Sequence, residues 1–247
     1  GYLRFMETRS ELPVLRGRGV GWNPPNRFER LAVEIDPEPE LEDGEEPLRP
    51  ETVLLRDRTR SILAHNDSPD VGFDVGINPY RGCSHGCVYC YARPTHEYLG
   101  FSAGLDFETK IMVKEDAPAL LRKALSSRSW KPQVIALSGN TDAYQPAERR
   151  LGLTRRCLEV LAEFRNPVGI VTKSHLVTRD RDLLAELAAD GAAAVVVSIT
   201  SLRNEVQRVM EPRAAAPARR LDAIRLLAEA GVPVGVNVAP IVPGLTD

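Results

Sequence analysis

The sequence lacks the features that would place it in a membrane or a secretory pathway. No apolar run reaches the ~18 residues that a membrane-spanning helix requires, and the first residues lack the apolar centre of a secretory signal. The formal net charge is only -2, so charge alone gives the whole chain no attraction for nucleic acids or anionic membranes. We therefore expect a soluble, cytoplasmic protein with no membrane partner.

Cysteine is also rare, and its distribution argues against a disulfide scaffold. Only four cysteines are present, and Cys83, Cys87 and Cys90 lie within eight residues of one another. This spacing suits metal ligation better than the widely spread pairs of a secreted, disulfide-bonded domain. The chain can still bury an ordinary core, because it has 247 residues of which 43% are hydrophobic.

Residues 1–70 show little apolar periodicity and are predicted to form an irregular N-terminal extension. They contain the glycine- and arginine-rich segment RGRGVGWNPPNRFERL and then an acidic stretch from Glu34 to Glu51. The acidic stretch is interrupted by prolines and repels itself, which is typical of a solvated linker. We assign no chemistry to this region and begin the core domain at residue 71.

From residue 71 to residue 247, strand-like runs alternate with amphipathic helical segments. The strand-like runs are rich in β-branched residues and cover 73–79, 133–138, 168–173, 193–200 and 234–239. The helical segments cover 117–125, 151–164, 181–189 and 219–230, with Gly191 and Gly231 placed as C-terminal stops. This alternation predicts an α/β domain with a parallel sheet, as a barrel or an open doubly wound sheet, whose strands are covered on both faces. The sequence stops soon after the fifth strand, so we expect a C-terminally incomplete domain.

The cysteine loop GCSHGCVYCY follows the first predicted strand, at the end of a parallel strand where active sites are built. Three thiolates can hold one [4Fe–4S] cluster and leave one iron atom open for chemistry. The alternative is a zinc site completed by His85, His96 or Cys157. Zinc motifs usually contain a second Cys or His pair, which this sequence lacks, and Cys157 falls in a predicted helix, where a buried apolar role is typical.

The Cys-x3-Cys-x2-Cys spacing, with an aromatic residue before the last cysteine, resembles the signature of the radical S-adenosylmethionine superfamily. The segments GCSHGCVYCYAR, SGNTDAYQPAERRLGL, IVTKSHLVTRDRDLL and APIVPGLTD resemble its spore photoproduct lyase-like branch, often labelled DNA repair photolyases. The resemblance implies a partial (β/α)6 barrel that ends here after its fifth strand. It also implies a [4Fe–4S] cluster and S-adenosyl-L-methionine as cofactors, and a reductant such as flavodoxin or ferredoxin as partner.

The resemblance further implies a reaction and a set of site residues. The cluster on Cys83, Cys87 and Cys90 would cleave S-adenosylmethionine reductively, and hydrogen would be abstracted from an unidentified substrate, with a nucleic-acid lesion or modified base as the candidate. Tyr91 is the candidate to relay hydrogen, with simple packing as the alternative. The predicted cofactor-binding residues are Tyr89, Asn140, Thr141, Asp142, Lys173, Ser198 and Asn237.

Several of these residues also have plain structural explanations. Residues 140–142 could form a turn or a helix cap, and Ser198 could bond its own backbone. Glu211 and Arg213 are further candidates to line the pocket. The competing interpretation of the whole chain is a metal-bearing nucleic-acid-binding module without radical catalysis.

One departure from the branch concerns the stretch after the second strand. The lyase that gives the branch its name carries a hydrogen-donating cysteine there, whereas this sequence has Ser138-Gly139-Asn140. We therefore do not expect efficient repair of spore photoproduct.

Overall fold

The computed structural model describes residue 15 and residues 17–28, 50–69 and 72–247. The strands are β1 (Val53–Arg56), β2 (Ala64–His65), β3 (Val75–Ile77), β4 (Tyr80–Arg81), β5 (Lys110–Val113), β6 (Ile135–Leu137), β7 (Val168–Thr172), β8 (Ala193–Ser198) and β9 (Val234–Asn237). The α-helices are α1 (Leu105–Thr109), α2 (Ala117–Leu125), α3 (Glu148–Leu151), α4 (Leu153–Glu163), α5 (Arg181–Ala189), α6 (Asn204–Met210) and α7 (Pro217–Glu229), and 3-10 helices cover Arg93–Leu99 and His175–Asp180. No helix in the described residues is long and apolar enough to cross a membrane.

The main sheet has six strands in the order β2-β3-β6-β7-β8-β9. All neighbouring pairs from β3 to β9 are parallel, and only the short edge strand β2 runs antiparallel. The five strands expected from the sequence are therefore confirmed, with somewhat narrower bounds. Because these strands are parallel, their C-terminal ends lie along one edge of the sheet. The cysteine loop and the other predicted site residues lie at this edge.

Helices cover one face of this sheet and form the main core with it. The side chains of Leu121, Leu158, Leu184 and Leu227, one from each of α2, α4, α5 and α7, are fully buried in that core. Helices α2 and α5 have the predicted bounds, and Gly191 and Gly231 end helices with φ of 68° and 79°. Such positive φ values favour glycine, which confirms both residues as stops.

Within the part of the chain that the structure describes, no helix covers the other face of the sheet, which corrects the expectation of strands buried on both sides. Strand β7 alternates between buried Val168, Ile170 and Thr172 and the less buried Gly169 and Val171. Across neighbouring strands the register aligns Gly76 with Ala136, Ala136 with Gly169, and Gly169 with Ala194. We call these four residues the small-residue row. It leaves open space above the sheet because none of its side chains exceeds a methyl group.

Two further differences concern local breaks and long-range pairing. The helix predicted over 151–164 is divided at Gly152, which adopts a φ of 63° between α3 and α4. The irregular extension expected over residues 1–70 is wrong for the two segments that form β1 and β2. Strand β1 pairs in parallel with β5 in a three-stranded sheet of order β1-β5-β4. Most of the acidic stretch, residues 34–49, lies outside the described residues. A domain boundary at residue 70 stays a prediction.

Candidate functional site

The cysteine loop follows β4 and turns at two glycines with positive φ, Gly82 at 78° and Gly86 at 68°. A Cβ atom on Gly82 would lie 2.9 Å from the ring of His96, and one on Gly86 would lie 2.6 Å from Oε2 of Glu108. Both positions therefore combine a left-handed backbone with a close approach that excludes larger residues. These turns bring the three cysteines of the loop to the edge of the main sheet.

Cys83, Cys87 and Cys90 are free thiols that line one cavity of about 580 Å³. Burial raises the pKa of the Cys87 thiol to about 12, and burial also raises the pKa of Cys83 well above its ordinary value. Bound metal supplies the positive charge that removes the proton from such thiols. The three thiols therefore form a donor set of the right chemistry for an iron–sulfur cluster.

The placement of the other candidate ligands does not support the zinc alternative. The ring of His96 faces the carbonyl of Lys110 at 3.0 Å, and Nδ1 of His85 lies 3.4 Å from Oδ2 of Asp142. Cys157 is fully buried in the main core, as the sequence predicted. Among the described residues, no three His, Cys, Asp or Glu side chains are arranged to hold a single metal ion. A [4Fe–4S] cluster needs no such convergence, because each thiolate binds a different iron atom.

The cavity with the three cysteines is also lined by most of the predicted site residues. The small-residue row supplies part of its floor through Ala136, Gly169 and Ala194. The predicted residues that line it are Tyr91, Asn140, Thr141, Asp142, Lys173, Ser198 and Asn237. Tyr89 is the predicted residue that does not line it.

Asp142 connects the cysteine loop to strand β7. Its carboxylate accepts hydrogen bonds from the Thr172 hydroxyl at 2.8 Å, the Lys173 backbone N–H at 2.8 Å and the Tyr144 backbone N–H at 2.9 Å. Burial alone would raise the pKa of Asp142, but His85 and the hydrogen bonds from the backbone N–H groups of Lys173 and Tyr144 lower it to about 2. Asp142 therefore stays ionised and fixes the position of His85 within the loop.

Thr141 and Asn140 have different surroundings although they are adjacent in sequence. The buried Thr141 hydroxyl donates to the carbonyl of Tyr80 at 3.1 Å and accepts from Asn78 at 2.7 Å. Asn140 is exposed to the cavity and has no hydrogen-bond partner among the described residues. Within this pair, only the Asn140 amide has its donors and acceptor available to a ligand.

Lys173 and Tyr89 contact each other beside Cys87. The Lys173 ammonium lies 5.7 Å from the centre of the Tyr89 ring, and its charge lowers the pKa of Cys87 against the effect of burial. No carboxylate among the described residues pairs with Lys173. The Tyr89 hydroxyl donates to Glu211 and lies 3.1 Å from the Thr200 hydroxyl. Burial, together with the charges of Cys87 and Glu211, raises the pKa of Tyr89, which therefore stays protonated.

The remaining predicted residues lie at the ends of strands and at the cavity mouth. Ser198 and Asn237 face each other in register at the ends of β8 and β9, and the Ser198 side chain has no hydrogen-bond partner among the described residues. The Tyr91 side chain is 75% exposed, and its hydroxyl donates to the carbonyl of Gly139. Tyr91 is thus held across the entrance of the cavity.

The sequence interpretation missed the role of the segment around Gly19. Two backbone N–H groups, of Gly19 and Val20, donate to the Glu108 carboxylate at 3.0 and 3.1 Å. Glu108 also pairs with Arg93 at 2.6 Å, and Arg93 donates to the carbonyl of Cys87 at 2.9 Å. A Cβ on Gly19 would lie 1.8 Å from the carbonyl oxygen of Gly86. The glycine-rich segment therefore packs directly on the cysteine loop. Nothing in the sequence indicated this contact beyond the presence of the glycines.

Ser138 was noted only for the thiol that it lacks, yet its backbone is unusual. It adopts a φ of 88°, and its hydroxyl accepts a hydrogen bond from the backbone N–H of Ala143 at 3.0 Å. A positive φ is rare for a residue other than glycine. Ser138 lines the cavity immediately after β6, so this turn aims the segment 139–142 into the site.

An α/β domain that places three free thiols and the polar ends of parallel strands around one cavity has the donor set of an iron–sulfur protein. The sequence matches the Radical SAM superfamily over residues 77–247, and the chain belongs to this family. Membership implies a [4Fe–4S] cluster and S-adenosylmethionine as cofactors.

Curated relatives include proteins of a bacterium and of an archaeon. An uncharacterized protein of Mycobacterium tuberculosis is 43% identical over 175 residues, which cover 71% of this chain and 52% of that protein. An uncharacterized protein of Methanocaldococcus jannaschii is 31% identical over 172 residues, which cover 69% of this chain and 61% of that protein. The chain thus spans about half of the length of the mycobacterial relative.

Solved structures with the same fold include spore photoproduct lyase. The lyase complexed with dinucleoside spore photoproduct matches with a TM-score of 0.55 at 22% identity, over 77% of this chain and 52% of that chain. A variant of the lyase with bound S-adenosylmethionine and dinucleoside spore photoproduct matches with a TM-score of 0.56 at 24% identity, over 77% and 51% of the two chains. At this identity the likeness concerns the fold.

Proposed function

We propose that the chain is a radical S-adenosylmethionine enzyme of the spore photoproduct lyase-like branch. Cys83, Cys87 and Cys90 would hold a [4Fe–4S] cluster, and the enzyme would abstract hydrogen from its substrate after reductive cleavage of S-adenosylmethionine. The observation that carries this proposal is the single cavity of about 580 Å³ that three free thiols share with Lys173 and the polar strand ends. The five parallel strands fit the first part of a (β/α)6 barrel.

Within this cavity the side chains have separable tasks. When bound, the cluster and S-adenosylmethionine supply a reducing electron and a 5′-deoxyadenosyl radical. Lys173, which has no carboxylate partner among the described residues, would bind the cofactor carboxylate. Asn140, Ser198 and Asn237 would bind other polar groups of the cofactor. The small-residue row would leave room for the adenosyl group.

The substrate proposal is a modified base or nucleic-acid lesion. It is supported by the likeness in fold to the lyase complexed with dinucleoside spore photoproduct. Ser138 at the end of β6 supplies no thiol, so a final hydrogen transfer from that position would need another donor. Tyr91, with its hydroxyl at the cavity mouth, is the proposed hydrogen relay. The electron donor is proposed to be a flavodoxin or ferredoxin.

The first test is the cleavage of S-adenosylmethionine itself. Protein reconstituted anaerobically with iron and sulfide, then reduced, is expected to release 5′-deoxyadenosine slowly without any substrate. Chromatography with mass detection measures this product, and unreduced protein is the control. Reduced protein with its full complement of sulfide that yields no 5′-deoxyadenosine would contradict the proposal and favour a metal-bearing binding module.

A second test concerns Lys173. Lys173→Ala is expected to weaken S-adenosylmethionine binding about tenfold or more and to leave iron and sulfide content unchanged, because a charged hydrogen bond contributes about 1.5–3 kcal/mol. Equilibrium dialysis measures the binding, and Lys123→Ala on the exposed side of α2 is the matched control. If the Lys173 variant binds the cofactor normally, the ammonium instead extends to the cavity rim.

A further inference from the structure

A second cavity, of about 690 Å³, lies beside the cavity that the three cysteines line, and His85 lines both of them. It is built from segments that follow β6, β7 and β8. We call it the arginine cleft, because its lining includes Arg149, Arg179, Arg181, Arg213 and Arg219 and no acidic residue. Arg179 and Arg219 pair with carboxylates that do not line the cleft. The other three guanidinium groups concentrate positive charge on one concave surface, although the whole chain carries a net charge of -2.

The charges in the arginine cleft are only partly neutralised. Among the described residues, Arg149 and Arg181 have no ion pair or side-chain hydrogen bond. The Arg213 guanidinium has no ion pair there and donates one hydrogen bond, to the Thr52 hydroxyl at 3.4 Å. Arginines elsewhere do find carboxylates, as Arg225 does with Glu229 at 2.8 Å. Arginines that are unpaired within the described part of the chain, such as Arg128 and Arg150, also occur outside the cleft, so what distinguishes these three is that they line one concave surface.

The cleft is also fixed in place. Arg179 is held between Glu148 and Asp180, each at 2.7 Å, so its side chain is ordered. The backbone N–H of Arg213 donates to the carbonyl of His85 at 3.1 Å, which ties this arginine to the cysteine loop. A ligand would therefore meet the Arg179 side chain and the Arg213 backbone in positions that are set before it binds.

We propose that the arginine cleft binds phosphate groups. Planar guanidinium groups match phosphate oxygens with paired hydrogen bonds, and the cleft volume of about 690 Å³ lies within the ~300–1,000 Å³ of small-ligand sites. A concave cleft suits phosphate groups better than the face of an acidic protein. The phosphates can belong to a single nucleic-acid strand or to a free nucleotide. This inference is independent of the proposed radical chemistry, because phosphate binding requires neither reduction nor S-adenosylmethionine.

The test uses the full chain loaded with its cluster. A fluorescent single-stranded oligonucleotide is titrated with protein at several salt concentrations, and pyrophosphate is added as a competitor. The double variant Arg149→Gln/Arg181→Gln is expected to bind the strand at least about tenfold more weakly, the scale of lost charged hydrogen bonds. The slope of log affinity against log salt concentration is expected to be smaller in magnitude by about 1.4 for this variant, because each of the two lost phosphate contacts on a single strand contributes about 0.7 to that slope.

A matched control separates the cleft from general surface charge. Arg128→Gln/Arg150→Gln removes the same charge from two exposed arginines outside the cleft, one of them in α3 beside Arg149. This control is expected to bind within about twofold of the unchanged protein, because neither of its side chains lines the cleft. If pyrophosphate displaces the oligonucleotide completely and binds as tightly as the oligonucleotide does, the ligand is a small phosphorylated molecule. If pyrophosphate displaces the oligonucleotide only weakly, the ligand is a nucleic-acid strand.

Two outcomes would overturn the proposal. Equal weakening in both double variants would mean that binding follows total charge rather than the cleft. Absence of binding by both phosphate probes, with loss of flavodoxin or ferredoxin binding in the Arg149/Arg181 variant, would assign the surface to an acidic protein. Release of 5′-deoxyadenosine, measured on the same samples, reports separately on the proposed function.

Discussion

Replacement of Cys83, Cys87 or Cys90 by alanine is expected to abolish cluster binding, the largest effect that we predict for a single change. Each thiol binds a different iron atom, so two remaining thiolates cannot hold the cluster. The unchanged protein is expected to bind about four iron and four sulfide atoms per chain. Iron analysis, acid-labile sulfide and the visible absorption of the reconstituted protein measure the result.

Cys157→Ala is the matched control for these variants. Its sulfur is fully buried among apolar side chains between α4 and the main sheet, and burial raises its pKa to about 12. The variant is expected to keep its full content of iron and sulfide. Loss of the cluster in Cys157→Ala, or its retention after any of the other three changes, would show that the ligand set is wrong.

The second large effect is expected at the buried ion pair of Glu211 and Arg220. Each side chain is only 1% exposed, and Glu211 also accepts hydrogen bonds from Tyr89 and from the Thr200 hydroxyl. Arg220→Met would leave the Glu211 carboxylate buried without its cation, a change that typically costs about 3–5 kcal/mol of unfolding free energy. Urea unfolding of the variant and the unchanged protein measures the difference.

Arg225→Met provides the control on the same helix, α7. Arg225 pairs with Asp222 and Glu229 on the surface and is 57% exposed, so its loss is expected to cost less than about 1 kcal/mol. Similar destabilisation by the two arginine variants would contradict the special importance of the buried pair. Adding Glu211→Gln to Arg220→Met is expected to restore part of the lost stability, because it removes the unpaired charge.

The pH dependence of the Glu211 contribution has a definite sign. Burial would raise the pKa of Glu211, but Arg220 and the hydrogen bonds from Tyr89 and Thr200 lower it below its ordinary value. A carboxyl group with a lowered pKa in the folded state stabilises the protein above its unfolded pKa and loses that contribution as the pH falls. Part of the acid sensitivity of the unchanged protein is therefore expected to come from this group.

Local sequence patterns were sufficient to predict the elements whose formation depends on residues close together in sequence. Helices α2 and α5 have their predicted bounds because their apolar spacing and end residues lie within the helix itself. The cysteine loop was identified from spacing alone, since ligand chemistry fixes the intervals between the thiols. The division between α3 and α4 was missed because an isolated Gly152 is compatible with a continuous helix.

Contacts between distant segments could not be read in this way. The pairing of β1 with β5 and the packing of Gly19 on Gly86 join residues that are far apart in sequence. The sequence marked Asp142 only as a polar residue after a strand. Its partners, Thr172 and His85, come from β7 and the cysteine loop, and only the fold brings them together.

A methyl group added at Gly76 or Gly169 would meet no atom closer than 3.4 Å. The backbone at both positions lies in regular parallel strands, so the fold does not demand glycine at either one. The empty space above these two residues is therefore available to a molecule bound in the cavity. Single enlargements along this row would reshape that volume while leaving the cysteines, Lys173 and the helical core untouched. The space available to a bound molecule could thus change at these positions without any change in the backbone of the sheet.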